Sequence, residues 1–163
     1  MNKLLSVLLV ALMMVGCGED AQTGAKDSTS VNPSEVRKLN EEAFRKLEAN
    51  KRGLKEDGLI TFYFENGQKM SEGEYKNGEA EGLWTHWRDN GQKAEEGEYK
   101  SSEKEGLWTS WDYNGKKSYE SEYKNGGMEE LWTDWGDNGQ KRSEGGYKND
   151  AKEGRWIEWY SNG

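Results

Sequence analysis

The sequence predicts a mainly β protein, built as an elongated open antiparallel sheet of tandem β-hairpins, and three observations support this class. Residues recur with a period of 24, as Gly58, Gly82 and Gly106 illustrate. Asn-Gly pairs, which favour tight hairpin turns, recur at 66–67, 90–91, 114–115, 138–139 and 162–163. Between these pairs apolar and polar residues alternate, as they do in strands. We therefore expect about nine strands, each packed mainly on its neighbours in the chain.

The chain begins with a segment typical of a bacterial export signal. Lys3 precedes an apolar run, Leu4–Val15, which is shorter than a membrane-spanning helix requires. The residues before Cys17, the only cysteine, then resemble a lipobox. We expect removal of residues 1–16 and a lipid on Cys17 that anchors the protein in the cell envelope. By resemblance to enterobacterial lipoproteins, Gly18 after the cysteine favours the outer membrane. An ordinary signal peptide with a stray cysteine is the alternative.

A tether and a helix are expected before the repeats. Residues 17–31 are rich in small and polar residues and predict a flexible tether. Residues 32–53 predict an amphipathic helix, with Asn32 as N-cap and Gly53 as a stop. Its apolar stripe consists of Val36, Leu39, Ala43 and Leu47. We expect this stripe to pack on the first hairpin of the repeat domain, residues 54–163, which holds about 4.5 repeats, the last one incomplete. A helix that binds a partner is the alternative.

The Asn-Gly pairs also predict which residues oppose each other. If Asn90-Gly91 is a two-residue turn with positive φ at both positions, Trp84 lies opposite Gly97 and Trp87 lies opposite Ala94. The ring of Trp84 would then cover the bare backbone of Gly97. The same register sets Trp132 on Gly145, Trp108 on Ser121 and Ile60 on Gly73.

Two aromatic columns follow from this register. The first is expected to be structural and comprises Trp84, Trp108, Trp132, Trp156, Tyr75, Tyr99, Tyr123 and Tyr147. The second is a candidate binding strip and comprises Trp87, Trp111, Trp135 and Trp159. A row of tryptophans edged with glutamate could stack sugars or hold a protein. Stacking that only holds the sheet together is the alternative for this second column.

The repeated segments resemble a known repeat family. Glu72–Gly82 reads EGEYKNGEAEG and Glu96–Lys100 reads EGEYK, and both resemble MORN repeats (membrane occupation and recognition nexus). The nearest likeness is to bacterial MORN-variant lipoproteins classed as YwqK-family antitoxins of toxin–antitoxin systems, and it covers residues 53–163. The resemblance implies a twisted sheet of hairpins, protein–protein contacts, membrane contacts in other MORN proteins, and no catalytic residues. The chain departs from the repeat at Ser101-Ser102, Ser121, Glu130 and Gly146.

We predict no catalytic residue, metal site or cofactor. His86 is the only histidine and is replaced freely in the other repeats, so we expect a solvated strand position rather than a base. One histidine and one lipidated cysteine are too few for a zinc site. Two registers of glutamate recur: Glu72, Glu96, Glu120 and Glu144, and Glu74, Glu98 and Glu122. Equivalent settings favour solvated ladders, balanced by nearby lysines, over an acid–base pair or a calcium site.

Charge and repeats together suggest a function. The formal net charge of −8 argues against a nucleic-acid partner. We expect a non-enzymatic envelope lipoprotein, anchored through Cys17, whose repeat domain lies outside the cytoplasm and recognises another protein, as an antitoxin or immunity protein would. A protein that binds peptidoglycan or polysaccharide, or a structural spacer, is the alternative. A glycan hydrolase with a glutamate pair is a third, disfavoured hypothesis.

Overall fold

The computed structural model describes residues 32–52 and 57–160, and these ranges contain one helix and nine strands. Helix α1 spans Pro33–Lys51. The strands are β1 (Gly58–Tyr63), β2 (Lys69–Lys76), β3 (Glu79–Trp87), β4 (Lys93–Lys100), β5 (Glu103–Trp111), β6 (Lys117–Lys124), β7 (Gly127–Trp135), β8 (Lys141–Lys148) and β9 (Ala151–Glu158). The predicted signal peptide, Cys17, the tether and Gly53 lie outside the described residues. No helix within these two ranges has the length and apolar character that a membrane span needs.

The nine strands form one antiparallel sheet in the sequential order β1 to β9. This arrangement confirms the predicted fold class. Each strand pairs with its neighbours in the chain, so a short turn is enough to connect every pair.

The hairpin turns at one end of the strands differ in type from those at the other end. At Asn90-Gly91, the Gly91 N–H donates to the Arg88 carbonyl at 2.9 Å and the Arg88 N–H donates to the Gln92 carbonyl at 2.9 Å. Only the glycine has positive φ, so this is a three-residue loop with a glycine bulge, and the expected two-residue turn is wrong. Two-residue turns with positive φ at both positions lie at the opposite end, at Asn77-Gly78, Ser101-Ser102, Asn125-Gly126 and Asn149-Asp150.

The predicted register is confirmed within the strands and wrong beside the three-residue loops. Trp84 lies opposite Gly97, as predicted. The extra loop residue shifts the pairing by one, so Trp87 lies opposite Lys93 rather than Ala94. The same shift sets Trp111 opposite Lys117 and Trp135 opposite Lys141. Each of these tryptophans therefore has a lysine as its cross-strand neighbour.

The alternation of side chains gives the sheet two distinct faces. The Trp–Tyr face carries the first aromatic column. The opposite face, called here the Leu–Thr–Trp face, carries three parallel rows. The Leu row is Leu59, Leu83, Leu107 and Leu131; the Thr–Glu row is Thr61, Glu72, Thr85, Glu96, Thr109, Glu120, Thr133 and Glu144; the Trp row is Trp87, Trp111, Trp135 and Trp159.

The core lies on the Trp–Tyr face, where Trp84 and Trp108 are 1% and 0% exposed. These rings do cover glycines, but not the predicted ones. A Cβ atom on Gly73 would stand 2.2 Å from the Trp84 ring, and one on Gly97 would stand 2.3 Å from the Trp108 ring. Each ring thus lies over the preceding strand, whereas the predicted register placed it over the following strand.

A β-bulge explains why each ring lies over the preceding strand. Between β2 and β3 the register shifts at Gly73/Glu74, where Gly82 of β3 adopts a φ of 69°. The Trp84 Nε1–H donates to the Glu74 carbonyl at 3.2 Å, beside this break in the ladder. The indole hydrogen bond therefore draws the ring over β2. The Trp108 Nε1–H makes the equivalent bond to the Glu98 carbonyl at 3.0 Å.

The fourth hairpin contains a strained residue at the equivalent bulge. Gly82, Gly106 and Gly154 have φ values of 69°, 65° and 70°, and Glu130 takes the same conformation with a φ of 60°. A non-glycine residue in this left-handed region costs about 1–2 kcal/mol. We expect Glu130→Gly to raise the free energy of unfolding by about 1 kcal/mol, measured by urea denaturation. The control Glu129→Gly, at a position without positive φ, should lower it by about 0.5–1 kcal/mol. A loss of stability in Glu130→Gly would contradict the strain.

Helix α1 covers the β1 end of the sheet, as predicted. The Ser34 N–H donates to Asn32 Oδ1 at 3.0 Å, so Asn32 is the N-cap. Ala43 and Leu47 join Ile60 and Phe62 in one buried cluster, although Leu39 of the predicted stripe remains 36% exposed. The Asn40 side chain donates to the Tyr63 carbonyl at 3.0 Å and accepts from the Tyr63 N–H at 2.9 Å. The helix thereby satisfies backbone groups of an edge strand.

Candidate functional site

The Leu–Thr–Trp face repeats one polar arrangement in successive hairpins. The Thr85 hydroxyl donates to Glu96 Oε2 at 2.8 Å, and Lys93 Nζ lies 2.5 Å from the same oxygen. The equivalent trios are Thr61, Glu72 and Lys69; Thr109, Glu120 and Lys117; and Thr133, Glu144 and Lys141. Each carboxylate of the Thr–Glu row is therefore shared by a hydroxyl and an ammonium group, in equivalent settings.

The same lysines reach the Trp row. The Nζ atoms of Lys69 and Lys93 each lie 5.6 Å from a ring centroid, those of Trp87 and Trp111 respectively. The ammonium groups of Lys117 and Lys141 lie 5.1 Å and 5.9 Å from the centroids of Trp135 and Trp159. Each lysine thus links the carboxylate of its own strand to the tryptophan of the next hairpin. The predicted binding strip is a half-buried tryptophan ladder interleaved with lysines, and Trp159 is its most exposed member, at 37%.

These ion pairs alter the acidity of the glutamates. The hydrogen bond from Lys69 lowers the pKa of Glu72, and the Lys141 hydrogen bond likewise lowers the pKa of Glu144. For Glu96, partial burial favours the protonated form, but the hydrogen bonds from Lys93 and Thr85 outweigh it and lower its pKa.

The lowered pKa values predict a loss of stability in acid. Because the folded-state pKa lies below the unfolded value of 4.5, the stabilisation is present above pH 4.5 and disappears as the pH falls through the folded pKa. Changing Glu72, Glu96 and Glu144 together to glutamine should flatten the fall in unfolding free energy between about pH 6 and about pH 3. Urea titrations across this range measure the effect. Glu79→Gln, an exposed change outside the row, is the control. A triple variant as pH-sensitive as the unmodified protein would refute the prediction.

The Trp–Tyr face contains two groups of touching rings. In the first group, ring centroids are 5.4 Å apart for Tyr75 and Trp84, and 4.9 Å apart for Tyr99 and Trp108. Burial raises the pKa of Tyr75 to about 12, so its hydroxyl stays protonated at neutral pH. The second group comprises Trp132, Tyr147 and Trp156, with centroids 5.4–6.3 Å apart.

Ser121 lies between these two groups. It occupies the position that Gly73, Gly97 and Gly145 hold in the other hairpins. Its side chain is fully buried, and its hydroxyl has no hydrogen-bond partner among the described residues. Trp132, which lies opposite Ser121, is only half-buried, unlike Trp84 and Trp108. The serine therefore coincides with looser packing of the aromatic column.

His86 belongs to this aromatic layer. Its ring stacks between Trp84 and Trp108, with centroid distances of 6.1 Å and 6.2 Å. Burial lowers its pKa, so the imidazole is mainly neutral at pH 7. The expectation of a solvated strand position is wrong, because the twisted sheet brings two tryptophans of consecutive hairpins against it. Across residues 32–52 and 57–160, no group of three or more His, Cys, Asp or Glu side chains is arranged to hold a metal ion.

The Leu row is a part of the Leu–Thr–Trp face that the sequence predictions did not include, whereas the Trp row was predicted. In the structure Leu59 and Leu83 are each 60% exposed, Leu107 is 54% exposed and Leu131 is 49% exposed. Leucine recurs at this position in four hairpins, and that recurrence was the available signal. The recurrence alone could not identify an exposed row, because the sequence does not show which positions of a face are covered.

The fold and this face define a class, that of tandem β-hairpin repeat proteins with a surface of equivalent side chains. Residues 56–77, 80–101 and 104–125 match the family model described as MORN repeat variant. Each matched segment contains one hairpin, from β1–β2 to β5–β6. The hairpin β7–β8, which includes Glu130 and Gly146, lies beyond the matched residues.

No curated protein matches the chain. A solved structure described as the crystal structure of TarM is similar with a TM-score of 0.37 and 12% identity, over 76% of this chain and 25% of that chain. The chain thus spans about a quarter of the length of that protein.

Proposed function

We propose that the protein is a non-enzymatic recognition module whose Leu–Thr–Trp face binds another protein. The supporting observation is the repetition on this face. Each of four successive hairpins has an exposed leucine and, on the same face, a trio of Thr, Glu and Lys side chains. Surfaces of this kind suit partners that run along the repeats, because each hairpin adds an equivalent contact. The three matches to the MORN repeat variant support the same general role.

We place this module in the bacterial cell envelope, as a lipoprotein held by lipid on Cys17. The support is the signal-like segment 1–16 and the lipobox-like residues before the cysteine. Within this setting the specific form we propose is an antitoxin or immunity protein, as the resemblance to YwqK-family antitoxins implies. The carboxylates of the Thr–Glu row support a non-enzymatic role, because a catalytic acid and base need distinct environments.

Affinity capture from an envelope extract tests the proposal. The full chain is used as bait, and captured proteins are identified by mass spectrometry and then purified to measure stoichiometry. We expect one dominant protein that binds one-to-one, and weaker capture by a variant with Trp87, Trp111 and Trp135 changed to alanine. The matched variant with phenylalanine at these positions controls for folding, checked by circular dichroism. Failure to capture any protein above background would reject protein recognition, and failure to neutralise a captured toxin on co-expression would reject the antitoxin role.

Glycan binding is the second candidate, and the Trp row favours it. Aromatic rings bordered by lysine and glutamate hydrogen-bonding groups provide both stacking and polar contacts for a sugar chain. The full chain should then be retained on purified peptidoglycan, and the alanine variant should be released although it remains folded. Equal retention of the two proteins, or no retention of the unmodified one, would reject glycan binding.

A further inference from the structure

We propose that the Leu row and the glutamates between its leucines form a docking site for one basic amphipathic α-helix of a partner protein. This inference rests on the proposed function, since it identifies the part of the recognition face that binds and the chemistry of its partner. Three features carry it: the exposure of the leucines, the charge around them and their spacing.

The exposure of the Leu row is regular rather than scattered. Leu59, Leu83, Leu107 and Leu131 occupy equivalent positions on alternate strands and are 49–60% exposed. Single exposed leucines are common on protein surfaces and need no explanation. A row of equivalent exposed leucines on one face is typical of an interaction site, because water is displaced from it only when a partner binds.

Glutamates lie across the strands from the first three leucines of the row. Leu59 lies opposite Glu74, which in turn lies opposite Glu81. Leu83 likewise lies opposite Glu98, which lies opposite Glu105, and Leu107 lies opposite Glu122. Glu74, Glu98 and Glu122 form no ion pair with any lysine or arginine of the described residues, whereas each glutamate of the Thr–Glu row has its own lysine. The Leu row is therefore apolar and acidic, which favours a cationic partner.

The spacing of the leucines selects a helix. Consecutive leucines lie two strands apart, which is about 9.6 Å at the usual strand separation. Residues seven apart in an α-helix lie on one side and about 10.5 Å apart. In an extended segment, residues three apart span about 10 Å but point to opposite faces, so they cannot bind neighbouring leucines in the same way. Because strands twist by about 20° each, a straight helix would contact two or three leucines.

A designed peptide tests this site. The probe is a helix of about 21 residues with leucines at heptad spacing and lysines beside them, titrated with the full chain by fluorescence anisotropy. Changing Leu83, Leu107 and Leu131 together to serine should weaken binding by about ten-fold or more. Changing Glu74, Glu98 and Glu122 together to glutamine should weaken it and reduce its dependence on salt. The controls are Tyr113→Ser, which alters an exposed aromatic outside the row, and a peptide of the same composition without the heptad pattern.

Each result bears on the proposal. Tight binding that both triple variants weaken, with a gain of peptide helicity by circular dichroism, would support it. No binding of the peptide by the unmodified protein, or equal binding by the leucine triple variant, would overturn it. A dimer in sedimentation velocity that dissociates when the leucines are changed, without peptide binding, would assign the row to a second copy and would also overturn the proposal.

If the envelope partner is captured equally by the leucine triple variant, the docking site is wrong while the proposed function stands. If the peptide binds but no envelope protein is captured, the proposed function alone fails.

Discussion

Replacing Trp108 by alanine should lower the free energy of unfolding by about 3–5 kcal/mol. Its ring is fully buried and lies over the backbone of Gly97. Its Nε1–H also donates to the Glu98 carbonyl at 3.0 Å. The substitution would leave a cavity in the aromatic column and remove the partner of a carbonyl beside a bulge, and both losses destabilise the folded state.

Urea unfolding followed by far-ultraviolet circular dichroism measures this loss. Trp111→Ala is the matched control, because Trp111 lies on the same strand, three residues further on, and is half-buried on the other face. We expect it to cost about 1–2 kcal/mol, in line with the smaller area removed from water. Equal losses in the two variants would contradict the placement of the core on the Trp–Tyr face. The comparison also shows whether the Trp row can be altered without unfolding, on which the capture experiment depends.

Replacing Gly97 by serine should destabilise the protein by about 2–3 kcal/mol. A Cβ atom at this position would stand 2.3 Å from the Trp108 ring, so the ring must move away from the strand it covers. The ring cannot retreat freely, because Tyr99 lies against it with centroids 4.9 Å apart. The variant should therefore also shift its tryptophan fluorescence to the red, as an indole becomes more exposed.

The reverse exchange is the matched partner of this experiment. Ser121→Gly should raise the free energy of unfolding by about 1 kcal/mol, since it removes a buried hydroxyl that lacks a partner. It would also open the backbone for the ring of Trp132, which lies opposite it. Both free energies come from the same urea titrations. Tolerance of serine at position 97, or a clear loss of stability in Ser121→Gly, would show that ring-on-glycine contact does not hold the column together.

The predicted strand pairing is correct in the middle of the strands and wrong beside the loops, because those loops are one residue longer than predicted. The pairing of Trp84 with Gly97 was correct, because alternation and the distance to the turn together determine it. The pairing of Trp87 was off by one residue, since Asn90-Gly91 forms a three-residue loop. That single residue set Lys93 opposite Trp87, and the ammonium group of Lys93 lies over the ring of Trp111. The candidate site is therefore a ladder of alternating rings and ammonium groups rather than the predicted row of tryptophans edged with glutamate.

By itself, the sequence determined the class of fold, the number and order of the strands, and the capped helix packed on the first hairpin. These features depend on local signals, namely the 24-residue period, the turn residues and the alternation within each strand. The tertiary structure alone decided which strand each buried tryptophan covers and which row of the other face is exposed. Bulges at Gly82 and its equivalents redirect the rings, and the lysines cover the Trp row while nothing in the described residues covers the leucines. Such outcomes depend on contacts between hairpins, where backbone hydrogen bonds and side-chain packing compete, and no single repeat specifies the result.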